Sequence, residues 1–206
     1  MHLDARSLRL ATYRPLVAAA FVTLMAACGG GGDTAPAAAL ALPAPPASSP
    51  GGSGTTPATT GTCNLPDFAA SMLARVNQDR AAGASCGIHG AFAPAPALTW
   101  NLALSQAADG HSRDMVANNF FSHTGANGSS AGQRITAVGY NWSTYGENIA
   151  AGQASVNEVS DGWIASDGHC ANIMNAAFVD IGVACVPGNS ATTYRTYWTM
   201  DFGKSR

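Results

Sequence analysis

The chain has 206 residues, 11% of them charged and 47% hydrophobic, with a formal net charge of -2. That balance offers no basic excess to draw nucleic acid and no acidic run that would act as a solvated tail. Length alone would allow one or two domains, but two N-terminal stretches have compositions of their own and are set apart first.

Arg6, Arg9 and Arg14 precede an apolar run over 16–27 that is broken only by Thr23 and closes on Ala26 and Ala27. A charged start, an apolar middle and small closing residues form the anatomy of an export signal over 1–27. The run is short for a mature membrane span. Cys28 follows directly, so Leu24-Met25-Ala26-Ala27-Cys28 resembles the lipobox of bacterial lipoproteins, with Met25 where leucine is usual. By that resemblance Cys28 is lipidated and holds the protein to a membrane, with acyl chains strong enough to anchor it. Gly29, not aspartate, at the next position resembles outer-membrane sorting. From 28 to 62 the chain is almost wholly Gly, Ala, Pro, Ser and Thr, with Asp33 its only charge. Such a composition cannot bury enough apolar surface to offset the entropy of ordering it, and is expected to be a tether. The folded domain is therefore expected over 63–206, a single-domain size.

Along that domain, Leu65, Ala69, Met72, Leu73 and Val76 recur at helical spacing, with Gly83 beyond their end. A second helix is expected over 102–119, capped by Asn101, with Leu104, Ala108, His111 and Met115 on its inward stripe. A short helix over 131–138 ends at Gly139. Ser155 and Glu158 form a capping-box pattern for a further helix that turns Val156, Val159 and Trp163 inward. Strand-like runs over 178–186 and 193–202 flank a turn at Pro187-Gly188-Asn189. Helices first and antiparallel strands last predict an α+β sandwich.

Besides Cys28, the cysteines are Cys63, Cys86, Cys170 and Cys185, an even set suited to disulfides in an exported protein. Three pairings are open to four cysteines. Short-loop closure favours Cys63–Cys86 and Cys170–Cys185.

Histidines and carboxylates are scarce, so their settings carry weight. His123 closes Asn119-Phe120-Phe121-Ser122-His123; Glu147 lies in Tyr145-Gly146-Glu147-Asn148-Ile149-Ala150; His169 lies in the stretch from Trp163 through Ser166 to Met174. All three are expected on or beside loops, where functional groups concentrate. His111, on an apolar helix face, is expected to be buried and hydrogen-bonded, joining core to loop. His89 is expected at the solvated surface, and the capping box accounts for Glu158. Cys170, beside His169, is inert once oxidised. Ser122 and Ser166 lack the G-x-S-x-G turn of a serine nucleophile.

The order of these segments, followed by Ile181-Gly182-Val183 and a closing Tyr197-Trp198-Thr199-Met200-Asp201-Phe202-Gly203, resembles the bacterial cysteine-rich secretory protein (CAP) domain. Arg75-Val76-Asn77-Gln78-Asp79-Arg80 and Pro96-Ala97-Leu98-Thr99-Trp100-Asn101 fit the same pattern, so the resemblance covers essentially 65–203. It implies a three-layer αβα sandwich with a small antiparallel sheet, and a cleft that carries His123, Glu147 and His169 by motif. Ser166 occupies the position of a second glutamate in animal and plant members, leaving one carboxylate fewer beside the histidines.

Two neutral imidazoles and a carboxylate suit a divalent cation, zinc first, with water at the open positions. Glu147 could instead orient one imidazole through its other ring nitrogen. No HExxH helix is present. Three functions are in play: a binding module for a lipid, a glycan or an envelope protein; an envelope structural component; and a hydrolase using Glu147 or metal-bound water. Binding is preferred, with no catalytic residue assigned, as a monomer in the cell envelope or outside it.

Overall fold

The computed structural model describes residues 60–206. The expected signal segment, Cys28 and most of the expected tether lie outside the described residues. Among the described residues, six strands and five α-helices run in the order α1 (Phe68–Ala82), β1 (Ala84–Ser85), β2 (Ala91–Phe92), β3 (Thr99–Trp100), α2 (Leu102–Ala117), α3 (Ala131–Ala137), β4 (Trp142–Ala151), α4 (Val156–Ile164), α5 (Asp167–Met174), β5 (Asp180–Pro187) and β6 (Thr196–Ser205). The sheet order is β3-β5-β6-β4. Its long pairings are antiparallel, but the two-residue β3 runs parallel to β5, so the sheet is mixed at that edge.

Strand periodicity divides the core into two layers of side chains. Ile181, Val183 and Cys185 of β5, with Trp198, Met200 and Phe202 of β6, face α1, α4 and α5. Tyr197, the alternate residue, instead packs with Met115 of α2 and Ile149 of β4. Helices on both faces of the sheet make the α+β, three-layer sandwich. Gly182 shows how closely α2 lies on β5: a Cβ there would run into the backbone of Leu104 and Ser105.

The predicted helices form with small shifts. Asn101 caps α2, its side chain accepting from the Leu104 N–H at 3.2 Å. Ser130 and Gln133 make a reciprocal capping box on α3. At α4 the box is half made: Ser155 accepts from Glu158 N–H, while the Glu158 carboxylate accepts from Ala154 N–H at 2.8 Å. The buried stripe of α1 is Phe68, Met72, Val76 and Arg80, whereas Ala69 is exposed. Arg80 continues the i, i+4 spacing with a fully buried guanidinium, which donates to the carbonyls of Pro96, Ile173 and Asn175 at 2.7, 2.6 and 3.0 Å.

The cysteine pairing differs from expectation. The bridges are Cys63–Cys185 and Cys86–Cys170, with Cα separations of 5.2 and 5.4 Å. Loop length changes closure entropy only slowly, and a bridge needs neighbouring Cα atoms; tertiary placement therefore decides. Residues 61–63 lie along β5, with Cys185 N–H donating to Gly61 O and Cys63 N–H to Cys185 O. Cys86 opens the 3-10 turn Gly87–His89, which packs against α5, where Cys170 sits. Packed structure also begins at Gly61, ahead of Cys63, because its N–H donates to Asp109 at 2.7 Å.

Candidate functional site

His123 is placed by the way the chain leaves α2. Asn119 takes a left-handed conformation (φ 46°), and its side chain accepts from the backbone and hydroxyl of Thr193 at 2.8 and 3.1 Å. The chain turns back over α2. His111, fully buried, donates from Nε2 to the Ser122 carbonyl at 2.9 Å, since a carbonyl can only accept. Asp114 accepts from Ala126 N–H. Core and loop are thus joined by His111, and burial holds its imidazole below the ordinary histidine value.

Glu147 sits in the middle of β4, opposite Asp201 of β6. Both of its oxygens are engaged: Oε1 lies 2.7 Å from His123 Nδ1, and Oε2 accepts from Arg134 Nη2 at 2.6 Å. Arg134 also donates to the His123 carbonyl at 3.0 Å and to the Ser129 carbonyl at 2.8 Å. Burial alone would push the Glu147 carboxyl up, but the His123 hydrogen bond and the Arg134 charge together outweigh it and hold the group below its usual value. An ionised carboxylate only accepts, so His123 donates from Nδ1 and its Nε2 is left for a ligand. Asp201 is fully buried, and no N–H or O–H of the described residues reaches its carboxyl. Burial and the neighbouring Glu147 charge hold it well above the carboxylate range.

His169 stands in the first turn of α5. Asn148 Nδ2 donates to its carbonyl at 3.1 Å, and Asn172 Nδ2 donates to the Glu147 carbonyl and to Asn148 Oδ1. The helix bearing His169 is thereby stitched to the strand bearing Glu147. Burial, and then the closeness of His123, keep His169 below its ordinary value. Its Nδ1 is buried without a partner among the described residues.

His123, Glu147, Ser166 and His169 line one cleft of ≈ 470 Å³, with Asn172 and with His89, which is exposed as expected and borders the cleft as well. Of the three motif residues only His123 is on a loop; Glu147 is mid-strand and His169 helical. Arg134 was not singled out from the sequence: nothing distinguishes one arginine in a seven-residue helix until β4 brings Glu147 beside it. Asp201 carries a fainter signal, a lone acid between the apolar Met200 and Phe202.

Residues 73–202 match the cysteine-rich secretory protein family. The chain belongs to that family. The Bacillus subtilis protein YkwD, described as uncharacterized, is 37% identical over 99 residues, which are 48% of this chain and 36% of that protein. The uncharacterized membrane protein YlbC of the same organism is 31% identical over 107 residues, 52% of this chain and 29% of its own length. The chain thus spans about a third of the curated relatives it matches. Among solved structures, an extracellular SCP-domain protein from Bacillus anthracis aligns with a TM-score of 0.51 at 26% identity, covering 68% of this chain and 44% of that one. In this CAP domain the described residues include no helix long and apolar enough to cross a membrane.

The chemistry of the CAP cleft turns on the engaged carboxylate. Among the described residues, no three histidine, cysteine or acidic side chains already form a metal-binding group. Of the imidazoles that line the cleft, His123 and His169 could share an open cation site that water completes. Glu147 fits the place of the carboxylate that orients a ligating histidine.

Proposed function

We propose that the protein is an exported, membrane-tethered binding module whose His123 and His169 imidazoles take up a divalent cation, zinc first, and through it a ligand of the envelope. One observation carries this reading: both oxygens of Glu147 are held, by His123 Nδ1 and by Arg134. A carboxylate so occupied presents an imidazole and is poorly disposed to take a proton from water. That favours binding over hydrolysis, although a cation here would also polarise bound water. Anchoring through Cys28, with the tether behind it, would let the domain search the space near the membrane for a lipid, a glycan or an envelope protein.

The first test is calorimetric titration of zinc into the metal-free protein and into the His123→Ala/His169→Ala double variant. Saturable binding that the double variant loses supports the reading; binding that persists, or none in the parent, ends it. For the anchor, Cys28→Ala should move the protein from the membrane to the soluble fraction, and unchanged membrane association would rule lipidation out.

A further inference from the structure

His169 and Ser166 belong to two cavities. On one side is the histidine cleft. On the other, a groove of ≈ 280 Å³ runs between α4 and the end of β4, with Ile149, Val159 and Trp163 in its walls and Phe121 and Tyr194 at its rim. Apart from His169, no titratable side chain of acidic or basic type lines this groove. Its floor is fixed: Ile149, Val159 and Trp163 are buried, and the Trp163 indole N–H is spent on the Ile149 carbonyl at 3.1 Å. Its rim is apolar and open, because Phe121 and Tyr194 are 45% and 40% exposed and meet edge to face with ring centroids 5.9 Å apart.

That rim is also braced. Asn119 Oδ1 accepts from the backbone and hydroxyl of Thr193, joining the chain that carries Phe121 to the one that carries Tyr194. Tyr194 packs on the buried Tyr197 ring at 5.7 Å. Two exposed aromatic rings held in this way give the groove a preformed rim, so little side-chain freedom is lost when it fills. At ≈ 280 Å³ the groove lies just under the range of about 300–1,000 Å³ for pockets that take whole drug-sized ligands. It has room for a ring-sized group, for which about 150 Å³ suffices.

The adjoining cleft sets the chemistry of the other end. Its one acid, Glu147, has both oxygens engaged, by His123 and by Arg134, so no free carboxylate oxygen faces a ligand there. A cation held by the imidazoles selects an anionic head; without one, only the His169 ring is left to donate an N–H to it, because His123 Nδ1–H is spent on Glu147. We propose that cleft and groove form one bipartite site for a carboxylate that carries a single compact apolar group, the head at His123 and His169 and the apolar group in the groove under the Phe121–Tyr194 rim. The assignment of the head rests on the histidine-cleft reading given above; the assignment of the apolar group does not.

The test uses N-acetylphenylalanine, N-acetylglycine and N-acetylphenylalaninamide, titrated into the whole protein with and without zinc. N-acetylphenylalanine should bind about tenfold or more tightly than either of the others, as expected when burial of one aromatic ring adds to capture of one carboxylate. In Phe121→Ala and in Tyr194→Ala, both at exposed positions, affinity should fall to that of N-acetylglycine while zinc binding is unchanged; Phe121→Leu should restore part of it. Equal affinity for N-acetylphenylalanine and N-acetylglycine in the parent overturns the proposal. So does a preference that survives both alanine variants. A preserved preference without zinc binding removes the cation and keeps the bipartite site, whereas zinc binding without the preference does the reverse. 3-Phenylpropionate separates the sources: affinity equal to N-acetylphenylalanine identifies a free acid, weaker affinity a peptide end, and both uphold the site.

Discussion

His123 Nδ1 and Glu147 Oε1 are 2.7 Å apart, with the histidine side chain 56% exposed and the glutamate 4%. A buried acceptor therefore orders an exposed ring and fixes which nitrogen faces the cleft. Glu147→Gln keeps the shape and removes the charge that selects the tautomer. Nitrogen NMR of the His123 ring should then show a mixture of tautomers, and zinc affinity should fall about 10- to 100-fold, as is usual when the partner of a ligating histidine is lost. An unchanged tautomer in the variant would show that Glu147 does not set it.

Arg134 and Glu147 make a largely buried ion pair at 2.6 Å. Removing one partner of such a pair leaves a buried charge without compensation. Arg134→Ala is expected to cost about 3 kcal/mol in urea unfolding, more than a surface ion pair contributes. A loss within the surface range would mean that solvent already screens Glu147.

Arg80 joins α1 to the segment before β3 and to the end of α5 through main-chain carbonyls only. Arg80→Met keeps much of the volume and strands those carbonyls. A destabilisation of about 3 kcal/mol is expected, read as a lower denaturation midpoint with an unchanged m-value.

His111 supplies a pH dependence with a definite sign. Burial lowers its folded value beneath the ordinary 6.5, with Glu147 opposing and Arg134 adding to the shift. The unfolded chain then binds the proton first, so the stability due to neutral His111 is full above 6.5 and is lost as pH falls from there toward the folded value. His111→Gln keeps a donor for the Ser122 carbonyl and does not titrate. Its unfolding free energy should vary less steeply with pH across that window than the parent's; identical slopes would remove His111 as the source.

Peptide mapping without reduction should recover Cys63 joined to Cys185 and Cys86 joined to Cys170. The two bridges span 122 and 84 residues, so removing either is expected to cost about 4 kcal/mol.

Much of the fold could be read from the chain because its local signals agree with its packing. Asn101 before an apolar stripe, Gly83 after one, and two apolar runs around Pro187-Gly188 each mark an element that forms. β4 is hard to read from sequence because Gly146, Glu147 and Asn148 interrupt its strand formers Trp142, Thr144, Tyr145 and Ile149. Gly146 and Asn148 are there for packing reasons. A Cβ at Gly146 would come within 2.8 Å of the Phe178 ring, and Asn148 holds α5 through the His169 carbonyl. Local preference gives way where the cleft is built, a common pattern at functional sites. His123, Glu147 and His169 were visible through their motifs and the family resemblance. Arg134 and His89 were not, because only the tertiary fold brings them to the cleft.

The Cys86–Cys170 bridge has a consequence for when the cleft exists at all. Cys86 opens the turn that carries His89, Cys170 follows His169 on α5, and Ile88 N–H donates to Asp167 at the start of that helix at 3.1 Å. One covalent latch thus holds two walls of the cleft together. In a reducing compartment the latch is open and the walls are joined by weak contacts alone. Reduction removes the one covalent link between the turn that carries His89 and the helix that carries His169, so the geometry of the cleft is tied to conditions in which that disulfide persists.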